Sequence, residues 1–287
     1  MTKSTGIATV AADAVRCRIC SVGKPIRSHL IPEAFIKEIF YDPKADEKHM
    51  IVHNEKGVKQ ASTTGWFEKG ILCSDCDGVL GVYEEAALKL LRRLRHDKIG
   101  FKVETSSTIN AKTYPFRVTV VDEFVRFACG ILWKYASMNP TNAAFIVIGP
   151  HKQIFEDVCF RGSAIPHNVD VFIERDLFSF AAFDDPNDVY YYRTPSVGLR
   201  GTRQRVRMAW FSVSGFTIYV KMDDARSSDF VPNRCWMRGK KQCYFNVNPR
   251  SLTVNNDMPR SMNWIRPDLA RLNRKLVFPS SPRPWKQ

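Results

Sequence analysis

The sequence predicts an α+β protein: a small metal-stapled N-terminal module, then a larger mixed domain built on a mainly antiparallel sheet. Three observations predict it. Two C-x-x-C pairs, Cys17/Cys20 and Cys73/Cys76, bracket a helix pattern and a hairpin pattern, and a second helix pattern follows directly after the second pair. Beyond about residue 105 a strongly apolar helix pattern precedes a run of short alternating segments broken by Gly, Pro and Asp. The 287 residues, 44% hydrophobic and 25% charged, have the composition of a globular chain long enough to bury a sizeable core.

Residues 1–16 are small and polar and are expected to be a flexible leader. The module follows over 17–100. CRIC runs into SVGKPIRSHLIP, a knuckle turning into a short extended segment. In EAFIKEIF, Phe35, Ile36, Ile39 and Phe40 recur at helical spacing, with Pro32 just before the start. HMIVHNEKGVKQAS reads as a hairpin with its turn over 54–57. After CSDC, the residues Leu80, Tyr83, Ala87, Leu90, Leu91 and Leu94 form an amphipathic stripe that predicts a helix over 77–95.

The domain over 101–233 opens with VDEFVRFACGILWKYASM, a helix rich enough in bulky apolar residues to be mostly buried. AAFIVIG is expected to be a buried strand. DVFIERD, FSFAAFD, DVYYYRT, RVRMAWFSVSG and FTIYVKM are expected to be further strands. From about Asp224 the pattern fades, and 234–287 reads as an irregular, basic, aromatic-containing segment.

Composition narrows the function classes. No window approaches the roughly 18–20 apolar residues of a membrane span, and the first residues lack the basic-then-apolar order of a secretory signal. A cytoplasmic, reducing location is therefore expected, where C-x-x-C points to metal or redox chemistry rather than disulfides. The net charge is +14. From Arg234 onward there are twelve Lys and Arg against two Asp, so the positive field is concentrated. Such a field favours polyanions, nucleic acid first, with anionic membrane surfaces and acidic proteins behind it.

The two pairs are separated by 52 residues, yet four thiolates on two tight turns can converge on one tetrahedral Zn2+. Knuckle, hairpin and helix with two ligands at either end is the treble-clef arrangement. A closed Cys17, Cys20, Cys73, Cys76 set leaves no open coordination position, so this zinc is expected to be structural. Two redox pairs or buried free thiols are the competing explanations. Cys129 and Cys159, in apolar helix and strand contexts, and Cys235 and Cys243 are expected to be structural thiols.

The order C-x-x-C, Ser28-His29-Leu30-Ile31-Pro32, Leu72-Cys73-Ser74-Asp75-Cys76 and a helix resembles the HNH-type (ββα-metal) nucleases over roughly residues 17–90. The resemblance implies an endonuclease that hydrolyses DNA phosphodiester bonds, with His29 as general base and Mg2+ or Mn2+ at the scissile phosphate. Imidazole suits the first task because it titrates near neutral pH. The family's acid before the histidine is here Ser28, a poor ligand. Its helix histidine is replaced by Asp77, with Glu84 two turns later on about the same face, and together they suit a hard, oxygen-seeking cation. Its central asparagine has one nearby counterpart, Asn54.

Structural roles compete at each position. His29 can be a packed histidine, Asp77 a helix-start residue, Glu84 solvated surface and Asn54 a turn residue. Arg27, with Arg16, Arg18 and Lys24, flanks the knuckle where a phosphate backbone could lie. Arg234, Arg238, Lys240 and Lys241 are interleaved with Trp236, Tyr244 and Phe245, a composition suited to phosphates and stacked bases. The alternative to a nuclease is a non-catalytic zinc module that binds nucleic acid, DNA before RNA, or a partner protein. Ser28 is the feature that favours it.

Overall fold

The computed structural model describes residues 16–39, 50–53, 59–62, 65–96, 104–105, 112–142, 144–175, 192–225 and 229–247. The fold is mixed α+β. At its N-terminal end a tight turn over Cys17–Cys20 leads into β1 (Arg27–His29) and α1 (Glu33–Ile39). A small hairpin, β2 (Met50–His53) with β3 (Lys59–Ser62), follows. The predicted turn with Asn54 lies outside the described residues. The chain then returns as β4 (Phe67–Lys69), antiparallel to β1, and enters the long helix α2 (Ser74–His96). That helix begins three residues before its predicted start, so Cys76 sits inside its first turn.

β5 (Glu104–Thr105) and β6 (Lys112–Arg117) lead to α3 (Val121–Ala136) and α4 (His151–Phe160). The sheet is completed by β7 (Val169–Arg175), β8 (Arg193–Arg200), β9 (Val206–Val213), β10 (Phe216–Met222) and β11 (Gln242–Val247). Its order is β5-β6-β11-β7-β10-β9-β8, and only the β11–β7 pairing is parallel.

Three elements differ from expectation. AAFIVIG lies outside the sheet: Ile146 and Ile148 are buried and Val147 is 67% exposed, so the alternation is real, but the segment only links α3 to α4. The strand context assigned to Cys159 is in fact helix α4. The segment expected to be irregular supplies β11, which sits between β6 and β7. FSFAAFD and most of DVYYYRT fall outside the described residues.

One apolar core runs from the cysteine turn through α1, α2 and α3 to the sheet. Phe127 on α3 ties it together, stacking on Phe35 of α1 at 5.3 Å and meeting Phe211 of β9 edge-on at 6.0 Å. Aromatic pairs of this kind add about 0.5–1.5 kcal/mol beyond area burial. A polar clamp fastens the same layers. The buried carboxylate of Glu38 on α1 receives Arg95 through two bonds of 3.0 and 3.1 Å, Arg92 at 2.7 Å, and the hydroxyl of Ser214 from the β9–β10 turn. The other sheet face carries a smaller cluster around Phe172, Trp210, Tyr219 and Trp236.

Candidate functional site

The four cysteine sulfurs lie within 4.8 Å of one another, and among the described residues they form the one group able to hold a metal ion. Thiolates 2.3 Å from a tetrahedral zinc stand about 3.8 Å apart, and Cys20 Sγ is 3.7 Å from Cys73 Sγ. Local folding builds the site. The Gly23 amide donates to Cys20 Sγ at 3.3 Å, while the Cys17 amide donates to the Gly23 carbonyl at 3.0 Å. A Cβ on Gly23 would lie 2.6 Å from Cys73 Sγ, so the turn reaches the second pair only because this residue is glycine.

The chemistry of the donors fits a cation. Backbone N–H groups of Gly23 and Val22 pull the Cys20 thiol down to about 6. Burial first, then the neighbouring sulfurs, push Cys76 up. Four crowded sulfurs cannot all ionise unaided, and a bound Zn2+ removes that conflict. Cys129, Cys159, Cys235 and Cys243 are buried, and burial raises each of their pKa values.

The β1–β4 ribbon stands beside this centre, and its register sorts the candidate residues onto two faces. Arg27 opposes Lys69, Ser28 opposes Glu68, and His29 opposes Phe67. Side chains alternate along a strand, so Arg27, His29, Phe67 and Lys69 share one face while Ser28 and Glu68 share the other. On the first face Arg27 and Lys69 are exposed, and the Arg27 guanidinium covers the Phe67 ring at 3.6 Å. His29 is half-buried. Burial is the largest influence on its pKa and lowers it below 6.5; Glu33 opposes this, Lys134 reinforces it, and Asp77 opposes it.

On the inner face Ser28 is fully buried and donates to Asp77 Oδ1 at 2.6 Å. Asp77 and Glu84 do converge, as their helical spacing predicts. Between them lies Lys134 of α3, which donates to Glu84 Oε1 at 2.9 Å and to the His29 carbonyl at 3.0 Å and stands 3.5 Å from Asp77 Oδ1 as an ion pair. Burial alone would lower the Lys134 pKa, but the two carboxylates raise it above 10.5, so the ammonium stays charged. In this arrangement one oxygen of each carboxylate is turned toward the ammonium. Sequence reasoning missed Lys134. The available signal was a lysine inside the apolar run GILWKYA, seven residues after Phe127 and on the same helical stripe.

The C-terminal cations are placed differently from one another. Arg238 spends its guanidinium on the carbonyls of Pro166, Val169 and Ile165. Lys240 Nζ donates to the Asn233 carbonyl at 2.8 Å. Arg234 lies over the Tyr244 ring at 5.5 Å, and Lys241 is exposed. No helix among the described residues is long and apolar enough to cross a membrane. Comparison with protein-family models, curated proteins and solved structures finds no match for this chain.

Proposed function

We propose that the N-terminal part of the chain is a treble-clef zinc module of the HNH (ββα) type and that it hydrolyses DNA phosphodiester bonds with His29 as general base. The observation that carries this reading is the place of His29. It ends β1 on the outward face of the ribbon, opposite Phe67 and two residues from the Arg27–Lys69 pair. Like charges directly opposed across two strands are destabilising, and a phosphodiester lying across that face would give them a common counter-ion.

In this reading His29 accepts a proton from water, the resulting hydroxide forms the new P–O bond, and the bond to the leaving oxygen breaks. That oxygen is then protonated by the imidazolium or by solvent. The depressed pKa of His29 serves the step, because only the neutral imidazole accepts a proton. The zinc is structural. Asp77 and Glu84 are where the family resemblance would put Mg2+ or Mn2+, which would supply charge stabilisation at the scissile phosphate. DNA as substrate rests on the resemblance.

A second reading, a non-catalytic zinc module that binds nucleic acid or a partner protein, is favoured by one observation. Lys134 already neutralises the carboxylate pair. The discriminating experiment compares wild type and His29→Ala, matched for zinc content, on plasmid and single-stranded DNA with Mg2+ or Mn2+ supplied. Cutting is expected to fall about 10²–10⁴-fold in the variant. Wild-type cutting should decline as pH falls through a pKa below 6.5, as the base becomes protonated. Unchanged cutting by the variant removes His29 from the chemistry. DNA bound but uncut by both proteins establishes the second reading.

A further inference from the structure

We infer that Lys134 is a built-in cation that takes the position of a divalent metal between Asp77 and Glu84 and fixes the strand carrying His29 from behind. An ammonium has three N–H donors; Lys134 donates to Glu84 Oε1 and to the His29 carbonyl, and it forms an ion pair with Asp77 Oδ1 at 3.5 Å. Its side chain is 2% exposed, so no water shell substitutes for these partners. Hard divalent cations bind carboxylate oxygens at about 2.0–2.6 Å and need several of them. Here both carboxylates are already turned toward one nitrogen, and Ser28 takes the Asp77 oxygen that also faces the lysine.

A divalent ion entering this position would expel the ammonium into an apolar surrounding, since most residues of α3 on either side of Lys134 are buried hydrophobics. The approach that brings the lysine in is itself built. Gly130, one turn earlier on α3, leaves room for Leu80, one turn before Glu84 on α2. A Cβ there would stand 3.0 Å from Leu80 Cδ2. The close helix contact and the lysine reach therefore belong to one arrangement. The bond to the His29 carbonyl makes Lys134 a positioning residue for that strand, whatever reaction His29 serves.

The inference uses the nuclease reading only to name the competing ion, and its test reads metal binding rather than cleavage, so a protein that fails to cut DNA leaves it standing. Zinc-loaded wild type, Lys134→Arg and Lys134→Met are titrated with Mn2+ and followed by electron paramagnetic resonance. Wild type and Lys134→Arg should show no site in the micromolar range. Lys134→Met should bind one Mn2+ about 10–100-fold more tightly than wild type, the range over which groups next to a metal site tune its affinity. Adding Glu84→Gln to that variant should abolish the gain. Wild type binding one Mn2+ at micromolar concentration, and losing it in Asp77→Asn or Glu84→Gln, overturns the inference without recourse to any lysine variant. A folded Lys134→Met that binds no Mn2+ overturns it as well, because the position would then not be that of a metal.

Discussion

The two faces of the β1–β4 ribbon differ in how their charges are satisfied. On the inner face Ser28, Asp77, Glu84 and Lys134 form a network around one buried nitrogen, and Glu68 accepts from the Asn142 amide at 3.4 Å. On the outer face two cations oppose each other in exposed positions, and the Phe67 ring lies beneath Arg27. A closed network with compensated charge is what holds a structure together, since an unpaired buried charge is costly. Uncompensated like charge at the surface weakens the fold slightly and raises the local potential for an anion. The ribbon thus separates a face of compensated charge from a face of like charge within three residues of sequence, and His29 takes part in both. Its carbonyl receives Lys134, and its imidazole shares the pleat face of Arg27.

The largest test removes both faces together. Structural zinc contributes on the order of 10 kcal/mol or more in small zinc-dependent folds, comparable to the whole stability of many domains. Wild type should carry about one zinc ion per chain by atomic emission, and Cys73→Ser should lose it and lower the unfolding temperature sharply. A variant that melts like wild type while holding no zinc would show that the ribbon stands without the metal, and the two faces would then owe nothing to the cysteine centre.

A smaller effect should strike the inner face alone. Lys134→Met leaves Asp77 and Glu84, whose side chains are 30% and 20% exposed, without their cation. Removing one partner of a buried pair costs about 3–5 kcal/mol, and the partial exposure of the carboxylates places this case at the lower end. Denaturant unfolding measures it. Part of the loss should return in Lys134→Met with Glu84→Gln, while DNA affinity through the outer face stays unchanged once zinc content is matched. Equal losses of stability and DNA binding would mean that the faces are not separable.

How much of this was legible in the sequence follows from how local each signal is. The C-x-x-C pairs announce convergent sulfurs because each pair is complete within four residues, and the helical stripe from Leu80 to Leu94 identifies α2 without outside help. Asp77 and Glu84 fall on one face by helical spacing alone. Lys134 could not be placed beside them, because its position depends on a helix crossing made possible by Gly130 and Leu80, fifty residues apart. AAFIVIG has the alternation of a strand, yet alternation does not supply a neighbouring edge to pair with. β11 was hidden for the opposite reason: its residues sit in a strongly basic stretch whose charge masked the pattern QCYFNV. Charge counting also cannot see acceptors. Arg238 looked like a phosphate ligand in sequence, but three backbone carbonyls hold its guanidinium.

The smallest expected effect is the most discriminating, because it predicts opposite signs for two measurements. Lys69 is exposed and directly opposes Arg27. Lys69→Ala removes like-charge repulsion across the ribbon, and cross-strand terms of this size are about 0.2–1 kcal/mol. The variant should therefore be unchanged or slightly more stable in denaturant unfolding at low salt, with the gain shrinking as salt screens the pair. Its affinity for DNA should fall, and the slope of log affinity against log salt should flatten by about one phosphate contact. If Lys69 were only a solubilising surface charge, the stability change would appear without the change in salt slope. If it buttressed the ribbon, stability would drop together with binding. Only a residue kept for contact at the expense of the fold gives the two responses in opposite directions, and the same pair of measurements on Arg27→Ala, which also surrenders its packing on Phe67, should show a weaker split.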